Sequence, residues 1–148
     1  MTEILPNLWV GNLKSRNNLK FLTSRKIQCV VNCCGADIID RYSIVQLPIH
    51  VKQLHLGIIE RGPEDPVSMD SMYQQLQPTI NVIEHYLEKQ QPVLVHCYAG
   101  RQRSPAIIMA YLIWKCSFTI KEAHGIVHHL WPHSGSDYSA ALERYSAN

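Results

Sequence analysis

At 148 residues, with 46% hydrophobic residues and a formal net charge of +2, the chain has the length and make-up of one globular domain over residues 1–148. So small a charge surplus does not argue for nucleic acid, and no apolar run reaches the roughly 18 residues of a membrane span. The five cysteines, Cys29, Cys33, Cys34, Cys97 and Cys116, lack the spacing of a disulfide framework. We therefore expect reduced thiols and a cytoplasmic setting, with nuclear entry allowed by size.

The N-terminal residues Met1-Thr2-Glu3-Ile4 have no signal-peptide character. Thr2 and the final Ser146-Ala147-Asn148 lead us to expect no lipid anchor. Residues 4–11 read as a short strand with a turn on each side, and residues 12–24, with Leu13, Leu19 and Leu22, as a short amphipathic helix. The β-branched, apolar residues 27–34 predict a buried strand bounded by Gly35, and residues 44–49 a second one that Pro48 ends or sets at an edge. Residues 50–68, with Gly57, Gly62, Pro63 and Pro66, read as an irregular loop, long for a compact domain and so a place to look for function.

Met72, Leu76, Ile80, Ile83 and Leu87 then recur at helical spacing, with Ser71 and Gln74 placed to cap the start and Pro78 predicting a kink or a later beginning. Thr119 and Glu122 form a second capping pair, opening a helix through Ala123, Ile126, Val127 and Leu130 that Trp131-Pro132 stops. A last helix is expected from about residue 137 to 145. Strands alternating with helices predict an α/β fold with a largely parallel sheet.

The chemistry concentrates between these helices. Val93-Leu94-Val95-His96 reads as a buried strand running into Cys97-Tyr98-Ala99-Gly100-Arg101-Gln102-Arg103-Ser104-Pro105, and an apolar run, residues 106–114, follows as a helix. A tight loop between strand and helix turns its amides and the positive helix end toward one point, where an anion can sit. Arg103 can grip two phosphate oxygens with its planar fork. Helix N-termini and neighbouring arginines lower a thiol pKa from about 8.5 to between roughly 3.5 and 7.5, so Cys97 is expected as a thiolate facing a bound phosphate. The alternative of an inert core cysteine fits the doubly basic, Gly-containing loop poorly.

His96-Cys97-Tyr98-Ala99-Gly100-Arg101-Gln102-Arg103-Ser104 resembles the His-Cys-x-x-Gly-x-x-Arg-Ser/Thr loop of the dual-specificity branch of the cysteine-dependent protein tyrosine phosphatases. Residues 4–11, 27–32 and 119–123 are similar to other segments of that branch. The resemblance implies a mostly parallel sheet of four to five strands with helices on both sides, and the phosphate loop between the last strand and a buried helix. It implies Cys97 as nucleophile, Arg103 as phosphate clamp and Ser104 as hydrogen-bond partner of the departing sulfur. His96 would fix the loop and help keep the thiolate charged. The loop amides of Tyr98, Ala99, Gly100, Arg101, Gln102 and Arg103 would bind the phosphoryl oxygens.

The family's general acid is an Asp somewhat over thirty residues before the Cys. Glu60, Glu64, Asp65 and Asp70 are the carboxylates in reach; Asp65 has the separation, lies in the irregular loop, and precedes a Pro that restricts its backbone. Asp70 reads better as a helix-end carboxylate. The loop is longer here than is usual in the family.

The implied activity is hydrolysis of phosphotyrosine and phosphoserine or phosphothreonine in proteins, with no cofactor. Tensin-homologue lipid phosphatases carry Lys at the position of Arg101, which keeps a phosphoinositide or an RNA 5′ phosphate as alternative substrates; binding a phosphoprotein without hydrolysis is a third reading. Some relatives pair the catalytic Cys with another near the first buried strand's end, which singles out Cys34 as a redox partner. His124, His128, His129 and His133 suggest a metal cluster, but no Cys or carboxylate completes it, so no metal is expected.

Overall fold

The computed structural model describes residues 1–38 and 45–148. Five strands form one sheet in the order β1-β2-β5-β3-β4, where β1 is Thr2–Leu5, β2 Leu8–Gly11, β3 Cys29–Asn32, β4 Lys52–His55 and β5 Val93–His96. The β1–β2 pair is antiparallel; the β2–β5, β5–β3 and β3–β4 pairs are parallel. The sheet has the expected class and strand number. Residues 4–11, read as one strand, belong instead to a hairpin: Pro6-Asn7 turns the chain, with Asn7 in the left-handed region at φ 71°.

The strand expected at residues 44–49 is displaced. Val45 to Pro48 form no strand, and Ile44 lies outside the described residues. The pairing falls to β4, whose Lys52, Gln53 and His55 are exposed, so that this edge strand carries none of the apolar pattern by which a buried strand is recognised.

Alternation along the inner strands divides the core. Val93 and Val95 of β5 and Cys29 and Val31 of β3 pack into one apolar cluster, whereas Leu94 and Val30 join the second, on the other face. The first face is covered by α3 (Pro66–Glu88), α4 (Arg103–Cys116), α5 (Ile120–Leu130) and α6 (Ser139–Ser146), which supply most of the larger cluster. The second is covered by α2 (Leu19–Ser24), after the one-turn α1 (Leu13–Arg16). The single helix expected over residues 12–24 is thus two, because Asn12 and Asn18 each cap a new start.

Helix α3 begins earlier than expected. Asp65, not Ser71, is its N-cap, with Pro66 at the first position where a missing N–H costs nothing. Pro78 sits inside without ending it, since the stripe Met69, Met72, Leu76, Ile80 and Ile83 is buried throughout and holds the helix on the sheet. The Thr119–Glu122 capping box forms in both directions, at 3.1 and 3.0 Å.

Candidate active site

Strand β5 is central and parallel to β2 and β3, so its C-terminal end opens beside theirs, where crevices form in such sheets. Helix α4 is buried from Ser104 to Leu112, and its N-cap Gln102 makes no side-chain cap, leaving the first amides of the helix unclaimed by that route. Between strand and helix, Cys97 is 2% exposed. Its Sγ accepts from the Gly100 N–H at 3.2 Å and lies 3.3 Å from Ser104 Oγ, which also donates to the Gly11 carbonyl at 3.2 Å.

The loop's carbonyls are held from outside. Tyr98 O accepts from Leu13 N (3.1 Å), Gly100 O from Trp131 Nε1 (2.6 Å) and Arg101 O from Gly135 N (2.7 Å). In a planar trans peptide the following N–H points the opposite way, so the Ala99, Arg101 and Gln102 amides turn to the inner side with that of Gly100. The Tyr98 amide is directed at the Cys34 sulfur. Gly100 itself is required, since at φ +72° a Cβ would lie 3.0 Å from Gly11 O and 3.1 Å from the Trp131 ring.

Arg103 Nη1 donates to Ile58 O at 3.3 Å and Nη2 lies 3.4 Å from Glu60 Oε2, while its buried Nε–H has no partner among the described residues. One edge of the guanidinium thus keeps an unmet donor, as a clamp for an oxyanion needs. A cavity of about 280 Å³ opens over Cys97, lined by Glu60, Cys97, Ala99, Arg101, Gln102 and Asp137. Arg101 is exposed at its rim, whereas Gln102 is turned inward and accepts from Asp137 N at 3.0 Å. A larger, mostly apolar cavity of about 400 Å³ lies beyond Gln102, against Met109, Ile120 and Leu142, and holds no cysteine.

His96 is fully buried, with Nδ1 3.4 Å from Cys97 O and Nε2 unpartnered among the described residues. Burial pushes it down to about 3, so it is neutral at physiological pH. Its Nδ1 meets the Cys97 carbonyl at the start of the loop.

Asp65 is engaged elsewhere. Its carboxylate accepts from Ser68 N and Ser68 Oγ, both at 2.9 Å, and these bonds hold it below the usual range, the wrong direction for a proton donor. It does not line the Cys97 cavity, and Asp70 is paired with Arg144 at 3.1 Å on the surface. The spacing that suggested Asp65 locates a helix cap. Glu60 and Asp137, which do reach the cavity, were distinguishable only once the loop's path was known.

Cys33 and Cys34 leave β3 beside Cys97. Burial raises the Cys34 thiol to about 11 against the opposing pull of Arg103 and the Tyr98 amide, and burial, with the nearby Cys97, holds the Cys33 thiol well above its ordinary value. His124 and His128 stack at 5.7 Å, but His128 Nδ1 is taken up with Ser134 O at 3.2 Å. Among the described residues no three His, Cys, Asp or Glu side chains are grouped to hold a metal ion, and no helix is long and apolar enough to cross a membrane.

The family model described as "Dual specificity phosphatase, catalytic domain" matches residues 8–140. The chain belongs to this family. Among curated proteins it is 33% identical over 121 residues to human dual specificity protein phosphatase 5, covering 82% of this chain and 28% of that protein. It is 27% identical over 115 residues to the variola virus dual specificity protein phosphatase H1, covering 78% and 60%. The chain thus spans under a third of the length of human dual specificity protein phosphatase 5. The crystal structure of human DUSP28 superposes with a TM-score of 0.80 at 20% identity, covering 99% of this chain and 96% of that one, and shows the same fold.

Proposed function

We propose that this dual specificity phosphatase domain hydrolyses phosphotyrosine and phosphoserine or phosphothreonine esters in proteins through a phosphocysteine intermediate. The observation that carries this reading is the Cys97 sulfur in contact with both the Gly100 amide and the Ser104 hydroxyl, in a loop whose carbonyls are tied outward. Cys97 attacks phosphorus as the ester oxygen leaves with a proton. The loop amides and Arg103 hold the three phosphoryl oxygens. Water then attacks the phosphocysteine, the S–P bond breaks, Ser104 donates toward the departing sulfur, and phosphate is released. The family's name supports the substrate class, and five unpaired cysteines support a reducing, cytoplasmic setting.

Acid-quenched single turnovers with a labelled phosphotyrosyl peptide test the chemistry. Label should stay on Cys97 of the wild type and be absent from Cys97→Ser, whose turnover should vanish. Vanadate should inhibit and EDTA should not. Near wild-type turnover by Cys97→Ser would end this reading. A panel of phosphotyrosyl and phosphothreonyl peptides, phosphoinositides and 5′-triphosphorylated RNA checks the substrate class, with the peptides expected to be turned over fastest.

A further inference from the structure

We propose that Glu60 is the general acid and base of this site, an assignment that rests on the phosphocysteine reading above. Among the described residues Glu60 is one of two carboxylates lining the cavity over Cys97, and of these it is the one in ion-pair contact with Arg103, at 3.4 Å. A carboxylate that touches the guanidinium expected to hold the phosphoryl group lies within reach of an oxygen on that phosphorus. Asp137, the other, has its main chain held by Gln102 and Glu64.

The backbone presents Glu60 firmly. Ile58 N donates to Cys33 O at 2.9 Å and Ile59 N to Ser71 Oγ at 2.8 Å. Tyr138 Oη donates to Ile59 O at 2.5 Å, and Arg61 N to Ser68 Oγ at 2.8 Å. Hydrogen bonds therefore close around the Glu60 backbone from three elements, and its side chain, paired with Arg103, is the part a ligand on Arg103 would meet. Asp65 supports this arrangement: its carboxylate orients Ser68, whose hydroxyl oxygen receives the Arg61 amide.

In the free site the Glu60 side chain is paired with Arg103. A phosphoryl group that takes the Arg103 fork breaks that pairing and leaves Glu60 facing the leaving oxygen. As the S–P bond forms and the ester P–O bond breaks, the Glu60 proton passes to the leaving oxygen, which departs as a neutral alcohol. The resulting carboxylate takes a proton from the water that attacks the phosphocysteine. Cys97 leaves as thiolate and Glu60 is protonated again, so the cycle closes.

A carboxylate that only steadies Arg103 would make the same contact, and Glu60→Gln separates the two roles. The amide can still accept from Arg103 but has no proton to give at the leaving oxygen. Acid catalysis matters most for a poor leaving group. We expect kcat of Glu60→Gln to fall by about 10²–10⁴-fold on a phosphothreonyl peptide. The loss on an electron-poor nitrophenyl phosphate should be much smaller, and the basic limb of the kcat–pH profile should disappear. Glu60→Asp should keep that limb at a reduced rate. The comparison is internal to each protein, so partial unfolding, which lowers both rates by one factor, cannot imitate it.

Equal losses on both esters with the basic limb intact would overturn the assignment in favour of positioning. The same signature in Asp65→Asn or Asp137→Asn, with Glu60→Gln unaffected, would move the role there. If wild type forms phosphocysteine and only the Glu60 signature is missing, this inference alone fails. If wild type forms none, the underlying reading fails first.

Discussion

Ser104 has one hydroxyl proton and two acceptors in reach, Cys97 Sγ at 3.3 Å and Gly11 O at 3.2 Å. While the sulfur is bonded to phosphorus it is a weak acceptor, and the proton can stay with Gly11. When the S–P bond breaks, the charge returns to sulfur and the same proton can swing back. Ser104→Ala should therefore slow the second step more than the first. A hydrogen bond to a charged group contributes about 1.5–3 kcal/mol, so dephosphorylation should slow by roughly ten- to a hundredfold. Rapid-quench kinetics should show a burst of alcohol followed by a slow steady state; a slow first turnover with no burst would remove Ser104 from this step.

His96 gives a second residue-scale prediction, in stability. Its pKa falls from 6.5 to about 3 on folding because the charged ring cannot be solvated inside. Between those values the unfolded chain binds a proton that the folded one refuses, so stability rises with pH across that window. The contribution is complete above about 6.5 and is lost as pH falls toward 3, with a slope near 1.4 kcal/mol per pH unit for one group. Denaturant melts of wild type and His96→Asn from pH 4 to 7 should converge as pH falls. A constant difference would mean the ring takes no part in the titration.

At the scale of elements, the loop is shaped by what lies behind it. Trp131, at the C-terminal end of α5, reaches 31 positions back to donate to Gly100 O, and Gly135 N reaches Arg101 O. The phosphate loop itself was legible in the sequence, because a buried strand, Cys97, Gly100, Arg103 and an apolar helix follow in order over a short stretch. Its backing was not: Trp131-Pro132 reads only as a helix stop, and the length and placement of α5 decide what the indole meets. Asp65-Pro66 fits both a catalytic loop and a helix start, and its bonds to Ser68 show it capping the helix. Trp131→Phe keeps the bulk against Gly100 and removes the donor. A buried carbonyl left unpaired costs about 1–3 kcal/mol, so the melting temperature should fall by several degrees. If the indole also shapes the loop, vanadate inhibition should weaken along with it; unchanged inhibition would confine Trp131 to stability.

Over the whole molecule, the strand order decides which cysteines meet. β3 and β5 are adjacent and parallel, with Asn32 opposite His96. Neighbouring strands lie about 4.8 Å apart, so the residues that leave them next, Cys33 and Cys97, start side by side, with Cys34 and Tyr98 following. No spacing in the sequence shows this, because 63 residues and an α3 of 23 residues separate the two strand ends, Asn32 and His96. Of the two neighbours, Cys34 is the better redox partner for Cys97. Burial raises both thiols and Arg103 opposes it at both, but at Cys34 the Tyr98 amide opposes it as well, whereas Cys33 is wholly buried and raised by the sulfurs of both Cys97 and Cys34. Peroxide should convert Cys97 to its sulfenic acid, and the Cys34 sulfur should then displace water to give a disulfide that thiols reduce. Peptide mapping after brief peroxide treatment should find Cys34 joined to Cys97, with activity restored by dithiothreitol. Cys34→Ser should instead lose activity irreversibly as Cys97 passes to the sulfinic acid. A map showing Cys33–Cys97, or equal recovery by Cys34→Ser and wild type, would assign the protection to Cys33 or to neither.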